Sequence, residues 1–291
     1  MSSTNVAAIA GEALAAIDNG RQIASFSVRH SDFSLDDAYN VTAAMRATRL
    51  ARGERVLGRK IGFTTGTIWA EYGVYAPMWG YLYDTTVRNL ADLGACPGKV
   101  GTGFPNGTCA NENSGTFPLA GLAEPRIEPE IVFGLSRAPA QDMDDATLIG
   151  CVEWIAHGFE LVQSIFPGWK FSPADTVAAN GLHGALLIGP RHPVGARAEE
   201  WRRTLTSFDI DLKCDGAPMD RGRAGNVMEG PLSTLRYTMN LLANDRANPP
   251  LAPGEIVTTG TLTKALPVKP GETWSTELQG VALEGISVRF S

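Results

Sequence analysis

The segment Ile127-Glu128-Pro129-Glu130-Ile131-Val132-Phe133 is typical of a β-strand. Successive side chains of a strand alternate between its two faces, so Glu128 and Glu130 should point to the same side. A third carboxylate, Glu160, lies in a second strand-like segment, and three such groups would suit Mg²⁺ or Mn²⁺. Without a cation, clustered carboxylates repel and raise each other's pKa. The alternative is that Glu128 and Glu130 face solvent, where most charged residues lie.

The composition is that of an ordinary globular protein with one large domain or two smaller ones. The chain has 291 residues, of which 44% are hydrophobic and 19% are charged. Its formal net charge of -6, with no long basic run, argues against nucleic acid as a partner. Because it has neither a stretch of about 18 apolar residues nor a basic region before an apolar N-terminal segment, we expect no membrane span and no signal peptide. These features predict a cytoplasmic protein.

The four cysteines are Cys96, Cys109, Cys151 and Cys214. Their spacing matches neither a zinc site nor a C-x-x-C redox motif, so we expect free thiols in a reduced compartment. Cys96 and Cys109 share one loop, and whether they pair under oxidation is left open.

A change in composition near residue 55 divides the chain. Before it, Asn5 caps a predicted helix that Asn19-Gly20 ends, and Ser34 with Asp37 is a capping pair for a second helix. After it, Val56–Phe63 is short, apolar and interrupted by glycine, as in a strand. The sequence therefore predicts a helical N-terminal segment at 1–55 and a strand-rich body at 56–291.

The body is predicted to contain several strands and a few helices. Asp144-Asp145 begins a predicted helix that extends to Ile155. A hairpin is predicted about the turn Asp215-Gly216, and a helix begins at Pro231. Residues 94–121 lack periodicity and are rich in Gly, Pro, Asn and Thr, which predicts a long loop that covers a pocket or extends a subunit interface.

Several short motifs follow one another in a definite order. They are Gly58–Thr64, Pro77–Asp84, Glu128-Pro129-Glu130, Phe159–Ser164, Trp169-Lys170 with Asp175–Asn180, and Thr258–Thr261 with Pro267–Glu272. In this order they resemble the 2-keto-4-pentenoate hydratase and 4-oxalocrotonate decarboxylase branch of the fumarylacetoacetate hydrolase superfamily. The resemblance runs from about residue 55 to the C-terminus, and the helical N-terminal segment also fits that branch.

The resemblance implies an α+β fold, in which a mixed β-roll body like the fumarylacetoacetate hydrolase C-terminal domain follows a helical N-terminal segment. It also implies Mg²⁺ or Mn²⁺ as the cofactor, bound by Glu128, Glu130 and Glu160. Members of the family bind 2-oxo acids through the carboxylate and the 2-oxo oxygen. A hard cation there polarises the oxo group and stabilises an enolate.

The implied activity is that of a lyase, a hydratase that adds water to a 2-hydroxy-2,4-dienoate in aromatic catabolism. The alternatives, in order, are a decarboxylase of a 2-oxo-3-enedioate, a hydrolase of an acylpyruvate carbon–carbon bond, and a non-catalytic partner subunit. Decarboxylation requires a second positively charged group, which would bind the distal carboxylate of the substrate. Hydrolysis is disfavoured because His30-Ser31-Asp32 is a poor match to the expected His–Glu pair. The implied partners are a small-molecule 2-oxo acid and either identical subunits or a related hydratase or decarboxylase subunit.

The resemblance assigns catalytic roles to Lys60, Asp84 and Lys170. Lys60 would hold a carboxylate or relay a proton, Asp84 would pair with it, and Lys170 would bind the substrate carboxylate. The alternatives are that both lysines lie at the surface and that Asp84 only forms a turn.

Substrate-binding roles fall to Arg59, Ser164 and Thr261. Arg59 belongs to the same motif as Lys60. Thr261 follows a glycine, which permits close approach of the backbone to a ligand. The hydroxyl of Thr261 can donate to an anion. Ser164 is four residues after Glu160 and is expected on the same strand face, where it would orient the metal ligand.

The remaining candidates are histidines and aromatic residues. His157 is expected at a helix C-terminus, and His183 either lines the site or is structural. Four aromatic residues form either a substrate wall or part of the core: Trp69, Tyr72, Tyr75 and Trp79.

Overall fold

The computed structural model describes residues 3–65, 77–93 and 114–291. The helices in these ranges are α1 (Ser3–Asp18), α2 (Phe26–Arg29), α3 (Leu35–Ala51), α4 (Leu90–Leu93), α5 (Asp145–Ile149), α6 (Pro173–Ala178), α7 (Ala198–Thr204) and α8 (Pro231–Ala243). The strands are β1 (Val56–Gly62), β2 (Met78–Tyr83), β3 (Val87–Asn89), β4 (Ser114–Phe117), β5 (Arg126–Leu135), β6 (Val152–Val162), β7 (His183–Pro193), β8 (Asp209–Cys214), β9 (Ala217–Arg223), β10 (Ile256–Thr258), β11 (Leu266–Pro267), β12 (Thr273–Gln279) and β13 (Ser287–Phe290).

The strands form two sheets with mixed pairing. The larger sheet has the order β2-β1-β10-β5-β6-β7-β3, and β11 pairs with one end of β5. Within it, β1 and β10 are parallel and so are β3 and β7, whereas β5 is antiparallel to both of its long neighbours. The smaller sheet has the order β4-β13-β12-β8-β9. The structure thus has helices first and mixed sheets after them, as the sequence predicts.

The two faces of β5 have different surroundings because its side chains alternate. Ile131 and Phe133 belong to the largest apolar core, which also contains residues of α7 and α8. Val132, on the other face, packs with Ala156 of β6 and Leu186 of β7. The acidic positions of β5 precede Val132 on this second face, so apolar side chains underlie them.

The N-terminal helices share a core with the segment that follows β6. Val41 and Met45 of α3 are buried together with Phe166 and Val177. The Thr42 hydroxyl donates to the main-chain oxygen of Val177 at 3.1 Å. The helices end at Ala51 and β1 begins at Val56, so the secondary structure changes where the composition does. Division into separate domains at residue 55 stays a prediction.

Several predicted elements are confirmed. Ser34 and Asp37 form a reciprocal capping box at the start of α3. The hairpin of β8 and β9 turns at Asp215 and Gly216, whose positive φ values of 48° and 81° suit a two-residue hairpin turn. Helix α8 begins at Pro231, as predicted.

The predicted helix from Asp144 to Ile155 is wrong beyond its first turns. Helix α5 ends at Ile149, Gly150 caps it, and Val152 already pairs with Leu135 as the first residue of β6. Val152 and Ile155, which suggest a helical period there, belong to a strand that is buried on both faces from Ile155 onward, and short apolar runs do not distinguish a helix from such a strand. His157 consequently lies within a strand and not at a helix end.

Some predictions fall outside the described residues. These are the pairing of Cys96 with Cys109, the aromatic residues Trp69, Tyr72 and Tyr75, and residues 94–113 of the long loop. The end of that loop is ordered as β4, which pairs with β13. Within the described ranges, no helix has the length and apolar character needed to cross a membrane.

His157 joins the two sheets directly beneath the acidic strand. Its Nδ1 donates to the main-chain oxygen of Glu130 at 2.9 Å, and its Nε2 accepts from the Thr276 hydroxyl of β12 at 2.9 Å. A carbonyl can only accept, so Nδ1 carries a proton, and the low pKa that burial gives the ring leaves it neutral at pH 7. Burial lowers the pKa of His157 to about 4.

We predict that His157 makes the protein less stable in mild acid. Because its folded pKa lies below the usual value of about 6.5, the unfolded chain takes up a proton first, and stability falls as pH decreases from about 6.5 toward 4. Between pH 7 and pH 5 the wild type should lose about 2 kcal/mol more unfolding free energy than His157→Gln, measured by urea denaturation. Parallel pH profiles for the two proteins would contradict the neutral, buried ring.

Candidate metal centre and substrate pocket

Three carboxylates converge on the paired strands β5 and β6. Glu128 lies directly opposite Glu160 in the antiparallel register, and Glu130 lies opposite Gly158, two residues along. One oxygen from each of the three carboxylates lies within 4.8 Å of the others. Glu130 and Glu160 are fully buried, whereas Glu128 is half-buried at the edge of a cavity. The cluster follows from the two-residue period of β5 together with the register of β6.

Each buried carboxylate has one oxygen oriented by the protein and one without a hydrogen-bond partner. Glu130 Oε2 accepts the backbone N–H groups of Thr259 at 3.1 Å and Gly260 at 2.9 Å. Glu160 Oε1 lies 2.8 Å from His183 Nδ1. By contrast, Glu130 Oε1 is buried without a hydrogen-bond partner in the described residues, and Glu160 Oε2 has only an ion-pair contact, with the Lys60 ammonium at 3.3 Å. Unsatisfied buried oxygens are costly, and a hard divalent cation is the ligand that this donor set fits.

Burial raises the pKa of all three carboxyl groups. The pKa of Glu128 rises to about 8, and that of Glu130 rises well above its ordinary value, in both cases because burial disfavours the charge and the neighbouring carboxylates add repulsion. Burial also raises the pKa of Glu160, although the ammonium of Lys60 opposes this. Ionising all three groups together therefore requires additional positive charge.

Gly260 brings the turn after β10 against Glu130. Its φ of +82° is in the left-handed region, and a Cβ there would lie 2.1 Å from the Thr64 hydroxyl oxygen. A larger residue would therefore be strained and would displace the N–H that donates to Glu130. The sequence singled out this turn as a binder of substrate, which stays a prediction for Thr261; its backbone also orients a carboxylate.

Lys60 is the buried cation of the cluster. From β1, its Nζ donates to the Gly181 main-chain oxygen at 2.8 Å and lies 3.3 Å from Glu160 Oε2. Burial alone would lower the pKa of Lys60, but the charges of Glu160, Glu128 and Glu130 outweigh it and raise the pKa overall. Lys60 also lines the cavity beside Glu128.

His183 orients Glu160 from β7. Burial, together with the positive charges of Lys60 and Arg49, lowers its pKa well below the ordinary value. The neutral ring donates from Nδ1 to Glu160, and its Nε2 lies 2.9 Å from the Thr86 hydroxyl. The sequence left open whether His183 lines the site. The answer depends on strand pairing. The pairing of β6 with β7 brings His183 to Glu160, and the pairing of β7 with β3 brings it to Thr86.

A cavity of about 840 Å³ opens beside the cluster. Its apolar and aromatic lining residues are Phe63, Met78, Val162, Trp169, Phe171 and Leu182. Its polar and charged lining residues include Lys60, Arg126, Glu128, Thr261 and Thr263. Asp220 and the exposed residues Arg221 and Lys264 also line it. The cavity therefore combines cationic groups that suit an anion with apolar side chains that suit a hydrocarbon chain.

Asp84 does not pair with Lys60, contrary to the prediction. In the antiparallel register of β1 and β2, Lys60 is opposite Gly80, and Asp84 follows the end of β2 beside Arg55. The Asp84 carboxylate accepts from the backbone N–H of Arg55 at 3.0 Å and from its Nε at 2.9 Å. These hydrogen bonds lower the pKa of Asp84. The contact ties the residue before β1 to the residue after β2.

Arg59 is buried away from the cavity, so the predicted contact with substrate is also wrong. As the neighbour of Lys60 in β1 it points to the opposite face. Its guanidinium carbon lies 4.0 Å from the Tyr81 ring centroid and 5.2 Å from that of Trp79. Its Nη atoms contact Glu255 at 3.3 Å and the Pro249 oxygen at 3.1 Å. Trp79 is likewise a core residue, since it is 1% exposed and belongs to the largest core.

The other three predicted site residues are Ser164, Lys170 and Thr261, and only Thr261 lines the cavity. Ser164 lies after the end of β6, and its hydroxyl donates to the Phe166 oxygen at 2.7 Å. Lys170 is exposed and does not line the cavity. Thr261 does line it, and its hydroxyl donates to the Thr263 oxygen at 2.9 Å. Ser164 fails as a site residue because the strand alternation that placed it beside Glu160 ends at Val162.

Comparison with known proteins identifies the family of this chain. The model of the family described as fumarylacetoacetate (FAA) hydrolase C-terminal matches residues 98–286. The 2-hydroxyhexa-2,4-dienoate hydratase of Comamonas testosteroni is 27% identical over 279 residues, which are 95% of this chain and 94% of that protein. The 2-keto-4-pentenoate hydratase of Paraburkholderia xenovorans (strain LB400) is also 27% identical, over 91% of this chain and 88% of that protein.

Solved structures show the same fold. The 4-oxalocrotonate decarboxylase from Pseudomonas putida G7, complexed with magnesium and adipate, superposes with a TM-score of 0.84 at 24% identity, covering 100% of this chain and 99% of that one. The fumarylpyruvate hydrolase from Pseudomonas aeruginosa, in complex with Mn²⁺ and pyruvate, gives a TM-score of 0.52 at 18% identity, over 81% of this chain and 89% of that one. The predicted resemblance and the predicted α+β fold are confirmed. The chain belongs to the fumarylacetoacetate hydrolase family.

Proposed function

We propose that this chain is a divalent-metal-dependent hydratase that adds water to a 2-hydroxy-2,4-dienoate. The observation that carries the proposal is the carboxylate triad beside Lys60, with Glu130 Oε1 unpartnered in the described residues and with Lys60 and Glu128 both lining a cavity. Full-length similarity to proteins named as hydratases of this substrate class supports the same activity.

Glu128, Glu130 and Glu160 would hold the cation, which we propose to be Mg²⁺ or Mn²⁺. Oxygen-only ligands suit both ions. When bound, the ion supplies positive charge that polarises the 2-oxo group of the substrate and stabilises the enolate. The chain's own contribution is to orient the ligands, through the 259–260 backbone at Glu130 and through His183 at Glu160.

Lys60 is the residue best placed to act on a bound substrate. Of its three N–H groups, one is used by the Gly181 oxygen and one faces Glu160. The third is available to the cavity that Lys60 lines, where it would stabilise negative charge on a substrate oxygen or deliver a proton. The apolar wall that includes Met78 and Phe171 would enclose the diene chain and exclude bulk water.

Decarboxylation of a 2-oxo-3-enedioate is the second candidate, and one observation favours it. Such a substrate requires a positively charged group for its distal carboxylate, and the exposed residues Arg221 and Lys264 line the cavity. Arg221 is, however, 59% exposed and already paired with Asp209 and Asp211. A solvated, paired arginine binds a further anion weakly, which makes hydration the first candidate.

We predict that the purified protein with Mg²⁺ or Mn²⁺ hydrates 2-hydroxypenta-2,4-dienoate and loses this activity in EDTA. Glu130→Gln should reduce kcat at least about 100-fold, since even groups that only orient metal ligands contribute 10- to 100-fold. Loss of diene absorbance measures hydration, and CO₂ release from 4-oxalocrotonate measures decarboxylation. Glu199→Gln, a change in an exposed helix ion pair, is the control. Faster turnover of 4-oxalocrotonate than of the dienoate would favour the second candidate, and equal activity in EDTA would contradict both.

We further predict that binding of Mn²⁺ releases protons and strengthens as pH rises from 6 to 8. In the metal-free protein the Glu128 carboxyl, with a pKa of about 8, is mostly protonated at pH 7, and binding requires its ionised form. Calorimetry in buffers of different ionisation enthalpy should give one or more protons released per ion at pH 7, because the pKa of Glu130 is also raised. Glu128→Gln should weaken binding and reduce the proton release. Binding without proton release would contradict the buried, protonated cluster.

A further inference from the structure

We propose that Arg126 binds the substrate carboxylate adjacent to the 2-oxo group, and that it thereby selects 2-oxo acids over neutral carbonyl compounds. This inference rests on the proposed function, since it concerns how the same pocket recognises its substrate. Neither the sequence motifs nor the resemblance singled out this arginine.

Arg126 occupies the acidic face of β5. Residues 126, 128 and 130 alternate with the core positions of the strand and so point to one side. Residues two apart on a strand are separated by about 7 Å, which places the base of Arg126 one step from Glu128 and two from Glu130. Arg126 lines the cavity together with Glu128 and Lys60. A carboxylate held beside Glu128 is therefore within reach of the guanidinium.

The half-buried guanidinium of Arg126 forms no hydrogen bond or ion pair with a carboxylate among the described residues, although its charge opposes the rise in the pKa of nearby Glu128. Its Nε is buried without a hydrogen bond. The two buried arginines in the described ranges are paired with carboxylates: Arg49 with Glu54 at 2.7 Å, and Arg59 with Glu255 at 3.3 Å. A partly buried guanidinium with free donors is a binding site for a planar anion such as a carboxylate.

Trp169 fixes the orientation of this group. The guanidinium carbon of Arg126 lies 4.0 Å from the Trp169 ring centroid, so one face of the group is covered by the indole. Trp169 is itself held by its Nε1–H, which donates to the Glu124 oxygen at 3.2 Å, and it has an unusual positive φ of 59°. Stacking covers a face and leaves the N–H edge free, which is the edge that binds a carboxylate through two hydrogen bonds.

The balance of charge favours a substrate with one carboxylate. The three glutamates carry three negative charges when ionised, and a divalent cation together with Lys60 would balance them. A 2-oxo monocarboxylate then brings one further negative charge into the pocket, and Arg126 supplies the matching positive charge. Arg126 in this way has the role that the sequence assigned to Lys170, which is exposed and lies one residue after the Trp169 on which Arg126 stacks.

The test measures binding of pyruvate to the Mn²⁺-loaded protein by calorimetry, with its neutral amide, pyruvamide, as the second probe. Arg126→Gln should weaken pyruvate binding about 10- to 100-fold, the effect of losing a charge-assisted bidentate pair. Binding of pyruvamide and of Mn²⁺ should change less than about threefold. Arg126→Lys keeps the charge but not the two-pronged geometry, so it should recover part of the affinity.

Arg191→Gln is the matched control, because Arg191 also stacks on a tryptophan, with its guanidinium carbon 4.3 Å from the Trp154 ring, but does not line the cavity. It should leave pyruvate binding unchanged. If Arg126→Gln and Arg126→Lys both bind Mn²⁺ and pyruvate like the wild type, the inference is overturned. It is also overturned if Arg126→Gln weakens binding of the dicarboxylate adipate but not of pyruvate, since Arg126 would then hold a distal carboxylate. Failure of the Mn²⁺-loaded wild type to bind pyruvate would instead refute the proposed function.

Discussion

The structure depends on keeping two carboxylates, Glu130 and Glu160, fully buried on paired strands with a third, Glu128, beside them. Within the described residues, Lys60 is the buried cation in contact with this cluster. Burial and mutual repulsion oppose ionisation of the group, so the surrounding chain must supply donors from several directions. It does so with the backbone of residues 259–260 after β10, with His183 of β7 and with Lys60 of β1.

These donors come from strands that are far apart in the sequence, so the site exists only when the larger sheet is assembled. β10, β5, β6 and β7 are consecutive in that sheet, with β1 next to β10. His157 fastens the main chain of Glu130 to Thr276 in the smaller sheet, which restrains the acidic strand from its other side. The apolar packing of Val132, Ala156 and Leu186 continues below the carboxylates on their own face. Rigid placement of the three ligands is the result.

Local patterns in the sequence predicted what depends on local geometry. The two-residue period of a strand predicted that Glu128 and Glu130 lie on one face. The capping pair and the hairpin turn could likewise be predicted from a few adjacent residues. The same period also separates Arg59 from its neighbour Lys60, which shows that belonging to one motif does not give two residues the same role. Ser164 was misplaced because alternation was extended past the end of β6.

Such local patterns could not predict contacts between residues of different strands. The partner of Asp84 is Arg55, because the register of β1 with β2 puts the ends of those strands together. His183 reaches Glu160 through the pairing of β6 with β7, and nothing in its flanking residues indicates that partner. Arg126 precedes the acidic pair by two residues, so its face was predictable. The sequence could not predict that Arg126 lacks an ion-pair partner in the described residues or that it stacks on Trp169.

The most direct test of the central claim is a crystal structure of the protein soaked with Mn²⁺ and pyruvate, with anomalous scattering measured at the manganese edge. We predict one strong anomalous peak within bonding distance of Glu128, Glu130 and Glu160, with pyruvate bound to the ion and its carboxylate facing Arg126. A manganese peak elsewhere, or none at the three glutamates while they remain buried together, would show that the triad is not the metal site.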